Sequence, residues 1–197
     1  MKREIDLKRL EKLNFNHVKD LRKLRNQKSI AYWMYDSRYI SAEKHILWYK
    51  NTIKDKTKIT YVIFENNEPI GTFYLVEIDK VNKTCKWGWY IGEQYAGSGL
   101  GSIIEYYCVN YIFNNLKFEK QTVEVLEGNE KVIGLHKKFF FIEEGFKREH
   151  ILKENKRIGS FVLSLIKEEW KMKKIKLKDR ILFDNYLIKI DGKKQKK

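Results

Sequence analysis

Several residue types and segments that mark whole classes of protein are scarce or absent in this sequence. Its 197 residues include one proline and two cysteines, Cys85 and Cys108. A single proline excludes collagen-like and proline-rich linker chains, and two cysteines form neither a disulfide framework nor a zinc site. No run approaches the roughly 18 apolar residues that a membrane span needs, and the first residues lack the apolar segment of a signal peptide. We therefore expect a reduced, cytoplasmic protein with no membrane association and no metal.

Hydrophobic residues and positive charge, in contrast, are plentiful. Hydrophobic residues make up 43% of the chain and aromatic residues 14%, which suffices for one buried core. The formal net charge is +15, and more than half of this excess lies in residues 171–197. This distribution favours a solvated basic terminus, although a nucleic-acid-binding module that uses the tail stays an alternative. We predict one domain over residues 1–170 and a basic C-terminal extension over 171–197, partly docked or disordered.

Hydrophobic periodicity predicts a mixed α/β (α+β) fold with the element order β-α-α-β-β-β-α-β-α-β-β. Between residues 59 and 91, apolar residues alternate and the connections are short, which is typical of three antiparallel strands. A helix then separates the strands predicted over 84–91 and 120–126, and this order places the two strands parallel and adjacent.

Local signals place individual helix ends. A first helix is predicted over 16–26 with Asn16 as its N-cap, and Ser41 is expected to cap the next helix. A further helix is predicted over 129–138, with a strand over 139–142 directly behind it.

A glycine-rich turn joins the predicted strand 84–91 to the helix behind it. Gly97, Gly99 and Gly101 stand at alternate positions, where the missing Cβ atoms let a ligand approach the main chain and let the turn adopt positive φ. The free N–H groups of the first helical turn then point at an anion, which the helix dipole favours. Residues 94–102 therefore predict a pyrophosphate cradle, with a tight turn that binds no ligand as the alternative.

Two common phosphate motifs do not fit this turn. A P-loop needs a lysine after Gly97, where Ser98 stands, and a dinucleotide fingerprint needs a third glycine at the position of Ser102. We therefore expect neither nucleoside-triphosphate hydrolysis nor dinucleotide binding.

The turn resembles a motif of the Gcn5-related N-acetyltransferase (GNAT) superfamily. The segment Gln94-x-x-Gly97-x-Gly99 is similar to the acetyl-CoA pyrophosphate signature of that family. The predicted element order also resembles the family fold, a mostly antiparallel central sheet with helices on both faces. The resemblance implies acetyl-CoA as co-substrate, with direct attack by an amine in a ternary complex.

A second segment, which begins at Asn129 and ends at Phe141, resembles the Asn…Leu-Tyr…Gly-Phe segment of the same family. It departs from that pattern twice, because His136 replaces the usual tyrosine and Phe140 replaces the usual glycine. The residues that the resemblance assigns to acetyl-CoA are Tyr90, Ile91, Gly92, Gln94, Gly97, Ser98, Gly99, Leu100, Gly101, Ser102 and Asn129.

Two side chains are candidates for the proton transfers. His136 matches the general acid of the family, which protonates the departing thiolate, and an ordinary buried helix histidine is the alternative. Glu127, at the end of the predicted strand 120–126, is the candidate base for the substrate ammonium. Glu124 reaches the same side only if no bulge intervenes, and a solvated position is its alternative. A chain that binds coenzyme A without catalysis stays a further alternative.

An aromatic segment in the first quarter of the chain suggests the acceptor. It resembles the N-terminal segment of the pseudaminic-acid pathway N-acetyltransferases, which acetylate the 4-amine of a UDP-4-amino-4,6-dideoxy sugar before flagellin glycosylation. The similarity rests on Arg25-Asn26, Tyr32-Trp33-Met34-Tyr35 and Ile40-Ser41. Trp33, Met34, Tyr35 and Tyr39 are then expected to stack on uracil, with core packing as the alternative.

Segments farther along the chain are shared more widely within the superfamily. Ile142-Glu-Glu-Gly145-Phe-x-Arg148 and Glu169-Trp170 also resemble ribosomal-protein and polyamine acetyltransferases. Acetylation of a polyamine or of a ribosomal-protein N-terminus is therefore an alternative, although residues 31–50 lack the row of acids that a polyamine site needs. The expected partner is an amino-sugar nucleotide, and a homodimer is left open.

Overall fold

The computed structural model describes residues 2–196, so Met1 and Lys197, the outer bounds of the predicted domain and extension, lie outside the described residues. Within residues 2–196, nine strands form one sheet. They are β1 Arg3–Arg9, β2 Ile59–Glu65, β3 Glu68–Asp79, β4 Thr84–Ile91, β5 Lys120–Leu126, β6 Ile142–Lys153, β7 Lys156–Ile166, β8 Tyr186–Ile190 and β9 Lys193–Lys194. The strand order is β6-β7-β5-β4-β3-β2-β1-β8-β9. Only β4 with β5 and β1 with β8 pair in parallel within the described part of the chain.

In this described part of the chain, six α-helices connect the strands, together with short 3-10 turns. They are α1 Leu21–Arg25, α2 Lys28–Ala31, α3 Ala42–Thr52, α4 Leu100–Asn114, α5 Glu130–Lys138 and α6 Lys167–Lys173. Ser41 caps α3 as predicted, since its hydroxyl accepts a hydrogen bond from the amide of Lys44. No helix in residues 2–196 is long and apolar enough to cross a lipid bilayer.

The sheet has a hydrophobic core on each face, and alternation along β2 shows how one strand serves both. Tyr61 and Ile63 join the larger core, which α4, α5 and α6 cover. Val62 and Phe64 point to the opposite face and pack with residues of α1 and α3. The predicted mostly antiparallel sheet with helices on both faces is therefore confirmed.

The predicted first helix is shorter than expected. A 3-10 turn occupies Phe15–His17, and its N-cap is Asn14 rather than Asn16, because the Asn14 side chain accepts from the amide of His17. An α-helix begins only at Leu21. Residues 16–20 include several residue types that favour caps and turns over helix interiors, which explains the interruption.

The predicted strand over 139–142 is wrong. Phe140 and Phe141 instead end α5, where the amide of Phe141 bonds the carbonyl of His136 and the amide of Phe140 bonds that of Lys137. Phe140 has φ of +70°, the left-handed conformation that glycine usually supplies at this position of a helix end. The apolar run that suggested a strand is therefore a helix terminus packed on the core.

The C-terminal extension packs on the domain through the part that the structure describes. After α6 and a 3-10 turn over Lys174–Arg180, β8 adds to the sheet parallel to β1. Its alternate residues Tyr186, Ile188 and Ile190 are buried, as is Phe183 just before it. Most of the lysines of the extension remain on the surface.

Candidate active site

Strands β4 and β5 diverge at the centre of the sheet. In the described chain they pair only where Thr84–Lys86 faces Lys120–Thr122. Beyond this point β4 stays bonded to β3 as far as Ile91, and β5 stays bonded to β7 as far as Leu126. Beyond Lys86 and Thr122, the facing main-chain groups of β4 and β5 therefore make no hydrogen bonds to each other. We call this gap, between residues 87–91 of β4 and 123–126 of β5, the β4–β5 opening.

The glycine-rich turn lies directly after the β4 end of the opening. Gly97 and Gly99 have φ of +78° and +81°, and α4 begins immediately after Gly99. The main-chain amides of Gly97, Gly99 and Gly101 donate no hydrogen bond to any group in residues 2–196. Free amides at the N-terminus of a 15-residue helix favour the binding of an anion at that end. The turn and the opening together fit an extended ligand with a diphosphate at one end and a narrow arm between the strands.

Ser98 and Gln94, which the resemblance also assigns to acetyl-CoA, lie within this turn. Ser98 holds the turn closed, since its hydroxyl donates to the carbonyl of Tyr95 at 2.7 Å and accepts from the amide of Leu100 at 3.3 Å. The side-chain amide of Gln94 lies against Gly92, where a Cβ atom would clash with its Oε1. Asn129 lies apart from the turn, at the N-cap of α5, and is almost fully buried.

His136 belongs to a buried chain of hydrogen bonds beside the opening. Its Nδ1 lies 2.7 Å from Oε1 of Glu105, and the Nε1–H group of Trp89 donates to Oε2 of the same carboxylate at 2.7 Å. Glu105 is 0% exposed and His136 is 5% exposed. The rings of Trp87 and Phe141 pack against the imidazole. The role of His136 as general acid stays a prediction.

Glu105 is a residue that the sequence interpretation missed. It lies on α4 among fully buried apolar side chains, Ile103 and Cys108 among them. A glutamate within the apolar face of a helix was the available signal, because an ionised carboxylate is rarely buried unless it has a partner.

Glu127 lies one residue beyond β5, with its side chain at the surface. Its carboxylate accepts a hydrogen bond from the amide of Gly159 at 2.9 Å, and its own amide donates to the Gly159 carbonyl at 3.0 Å. The first bond holds the side chain, and the second holds the main chain, against β7. Its role as the base also stays a prediction.

Glu124 is not solvated, which corrects one of the alternatives for it. Its side chain is only 4% exposed, and its carboxylate lies 2.6 Å from the ammonium of Lys86 and 2.9 Å from that of Lys147. Ser160 and Tyr35 also donate hydrogen bonds to it. Burial alone raises the pKa of Glu124, but the bonds from Lys86, Tyr35, Lys147 and Ser160 outweigh it and lower that pKa to about 2.

The aromatic segment, residues 32–35, lies next to Glu124 and Glu127. Tyr35 bonds Glu124, and the indole of Trp33 is the nearest group to the position of a Cβ on Gly128, at 3.9 Å. Lys153 of β6 donates to the carbonyls of Tyr32 and Met34 and so ties the segment to the sheet.

Tyr39 is oriented differently from the other predicted acceptor residues. Its hydroxyl accepts a hydrogen bond from Arg22 of α1 at 2.9 Å, and 69% of the residue is exposed. Tyr35 is 42% exposed, so neither tyrosine is a core residue. The structure therefore groups Trp33, Met34 and Tyr35 beside the end of β5 and places Tyr39 next to α1.

Comparison with known proteins agrees with this geometry. The sequence model of the acetyltransferase (GNAT) domain matches residues 9–141. Acetyltransferase PseH from Campylobacter jejuni subsp. jejuni serotype O:23/36 (strain 81-176) is 28% identical over 137 residues, which cover 70% of this chain and 84% of the relative. Spermidine N(1)-acetyltransferase from Escherichia coli (strain K12) is 28% identical over 141 residues, covering 72% and 74% of the two chains.

A solved structure shows the same fold. The crystal structure of spermidine N-acetyltransferase from Vibrio cholerae in complex with CoA and spermine superposes with a TM-score of 0.76 at 19% identity, covering 85% of this chain and 98% of that chain. The family match extends over more than half of the sequence and includes both the opening and the glycine-rich turn. The chain therefore belongs to the GNAT family and is an acetyl-CoA-dependent N-acetyltransferase.

Proposed function

We propose that this enzyme acetylates the amine of a nucleotide-linked amino sugar, a UDP-4-amino-4,6-dideoxy sugar of the kind found in pseudaminic-acid biosynthesis before flagellin glycosylation. The observation that carries the proposal is the charge around the aromatic segment. Lys86 and Lys147 both bond the buried carboxylate of Glu124, Lys86 also bonds Glu77, and the Lys147 side chain is 43% exposed. A sugar diphosphate is attracted to such a surface, whereas a polycation is repelled.

Other charged groups near the segment point the same way. The carboxylate of Asp36 is paired with Arg38, and hydrogen bonds from Arg38 lower the pKa of Asp36. Arg25 donates to the carbonyl of Asp36 through Nη2, while its buried Nη1 has no partner in residues 2–196. The burial that lowers the pKa of Arg25 makes an anionic acceptor favourable here.

The proposed mechanism assigns each step to residues of this chain. When bound, acetyl-CoA supplies the acetyl group as a thioester with a thiolate as the leaving group. The amides of Gly97, Gly99 and Gly101 bind the diphosphate, and the free main chain of β4 beside Tyr90 and Ile91 orients the arm. Direct attack by the amine in a ternary complex is the family route that we adopt.

Two proton transfers accompany that attack. Glu127 takes a proton from the substrate ammonium, directly or through water, and His136 gives a proton to the departing sulfur. Asn129 contacts the pantetheine arm. The cytoplasmic location and a homodimer stay predictions.

Acetylation of a polyamine is the second candidate. It is favoured by the relative named spermidine N(1)-acetyltransferase, whose identity to this chain equals that of the relative named PseH. It also needs carboxylates that are free to bind a cation. In the described residues around Tyr35, the carboxylates of Asp36 and Glu124 already have cationic partners, and that of Glu127 accepts a hydrogen bond from the amide of Gly159.

The test is an acceptor panel read by mass spectrometry and by thiol release. Purified enzyme is incubated with acetyl-CoA and a UDP-4-amino-4,6-dideoxy sugar, spermidine or a ribosomal-protein N-terminal peptide. We expect acetylation of the UDP sugar with kcat/KM at least about tenfold above the others. A preference for spermidine contradicts the proposal and supports the second candidate.

A charge reversal sharpens this test. Lys147→Glu is expected to raise KM for the UDP sugar about tenfold or more, because the reversal changes the local charge by two. Lys171→Glu is the matched control, since Lys171 is similarly exposed and paired but lies on α6. An equal effect of the two variants contradicts a diphosphate site at Lys147.

A further inference from the structure

Three residues from three elements form one buried hydrogen-bonded chain. Trp89 of β4 donates to Glu105 of α4, and Glu105 contacts Nδ1 of His136 on α5, each at 2.7 Å. Both oxygens of the carboxylate are therefore occupied. Trp89 belongs to the stretch of β4 that borders the β4–β5 opening. The hydrogen-bonded residues Trp89, Glu105 and His136 therefore lie along one wall of the predicted thioester site.

The chemistry of these three side chains determines where the proton between Glu105 and His136 resides. A buried carboxylate is costly unless a neighbour neutralises it or donates to it. The Trp89 indole is a neutral donor. Cys108, also on α4, is a buried thiol, and burial followed by the Glu105 charge raises its pKa well above the ordinary value, so the thiol carries no charge. The 2.7 Å contact between Oε1 of Glu105 and Nδ1 of His136 needs a proton between the two atoms, and Nδ1 can supply it.

We propose that Glu105 is a positioning residue, which holds the proton of His136 on Nδ1 and stabilises the charged imidazole so that Nε2 is the atom that protonates the leaving sulfur. This inference rests on the proposed role of His136. As the amine nitrogen bonds the acetyl carbon and the carbon–sulfur bond breaks, the sulfur takes the Nε2 proton. The nitrogen, which has already given one ammonium proton to Glu127, loses its second proton to water. Neutral His136 keeps Nδ1–H towards Glu105 and regains its second proton from solvent.

The pairing also accounts for the substitution at position 136. The tyrosine usual in the family donates its own hydroxyl proton and has no second ring atom that a carboxylate must hold. A histidine donates through one nitrogen only if the other is fixed, and a buried acceptor fixes it. If Glu105 acts solely through the imidazole, its contribution must vanish when position 136 is a tyrosine.

The first test is spectroscopic and uses the free protein. Nitrogen-15 NMR of the four histidines, with the His136 signal assigned by its loss in His136→Tyr, is expected to show Nδ1 protonated. Glu105→Gln is expected to give a mixture of tautomers. A His136 ring with Nε2 as the sole protonated nitrogen overturns the proposal.

The second test is kinetic. We expect Glu105→Gln to lower kcat roughly 10- to 100-fold, to change KM for acetyl-CoA less than about threefold, and to move the alkaline fall in kcat to lower pH. Tyr111→Phe is the matched control, because it removes another buried hydrogen bond of α4, that to Tyr61. It is expected to affect stability but not the pH profile.

A third variant pair separates this proposal from the proposed function. In a His136→Tyr background, adding Glu105→Gln is expected to change kcat less than about twofold. The proposal fails if Glu105→Gln alone leaves kcat and its pH profile unchanged while His136→Phe abolishes turnover. It also fails if Glu105→Gln costs the same in both backgrounds. Full activity of His136→Phe contradicts the proposed function itself.

Discussion

Tyr35 donates its phenolic hydrogen bond to the buried carboxylate of Glu124, and this contact fixes the aromatic segment to the middle of the sheet. Burial, followed by the bond to Glu124, raises the pKa of Tyr35 far above its ordinary range. The pKa of Glu124 is lowered to about 2. The donor thus keeps its proton and the acceptor its charge over the whole physiological range of pH.

The Glu124 cluster is expected to make the protein sensitive to acid. Because its pKa falls from 4.5 to about 2 on folding, the charge contributes stability that is complete above about pH 4.5 and is lost between there and about pH 2. We expect Glu124→Gln to lower the free energy of unfolding at neutral pH by on the order of 2–3 kcal/mol and to reduce its decline in acid. Urea unfolding over a range of pH measures both effects. Glu168→Gln, at an exposed pair, is expected to change neither.

His136→Phe is expected to separate chemistry from binding. Loss of a general acid lowers kcat roughly 100-fold or more, while the affinity for acetyl-CoA, measured by calorimetry, changes less than about threefold. Equal losses in kcat and affinity indicate a binding role instead. Circular dichroism checks the fold, because the variant leaves Glu105 with one partner fewer.

Glu127→Gln tests the base without changing the local structure. The glutamine oxygen can still accept from the amide of Gly159, so the end of β5 stays in place. We expect kcat to fall roughly 100-fold and the acid limb of its pH profile to disappear. Glu130→Gln, three residues along on α5, is the control and is expected to retain full activity. A fully active Glu127→Gln enzyme removes Glu127 from the mechanism.

Gly99→Ala tests the backbone of the anion cradle. A Cβ at Gly99 meets nothing within 4 Å, so any effect comes from its φ of +81° rather than from crowding. We expect about 1–2 kcal/mol of strain and a dissociation constant for coenzyme A raised about tenfold or more. Gly134→Ala on α5 also meets nothing within 4 Å and is expected to leave binding unchanged. Equal affinities for the two variants contradict the cradle.

Phe183→Ala is expected to destabilise the whole domain. Phe183 is buried, and its ring packs edge-on against Tyr106 of α4, with centroids 4.7 Å apart. Truncation of such a ring costs about 3–5 kcal/mol, which thermal unfolding measures. Leu182→Ala is the control, because Leu182 is 65% exposed. A small effect of Phe183→Ala means that the extension contributes little to the fold.

Local pattern predicted much of the fold correctly. Alternation of apolar residues gave the bounds of β4 and β5, because period two persists along a half-buried strand. The helix between the two strands gave their parallel adjacency. The same logic failed at Phe140, where a run of phenylalanines suggested a strand. There the helix-end hydrogen bonds impose a left-handed backbone despite the side chain, and a run of apolar residues does not reveal such bonds.

The site was predictable where a motif is contiguous and not where it is assembled by packing. The glycine-rich turn is one segment, and its spacing alone indicated anion binding. Glu105 meets His136 across 31 positions, and Lys147 meets Glu124 across 23. Such pairs depend on helix rotation and sheet register, which single-sequence patterns do not specify.

The neighbouring positions of β1 and β8 have a consequence for synthesis. Arg3 and Tyr186 are partners in the sheet although 183 positions separate them. A nascent chain therefore leaves one edge of β1 open until residues 186–190 have emerged from the ribosome. We expect stalled or prematurely released chains to associate through that bare edge, so that chaperone protection matters most until β8 has emerged.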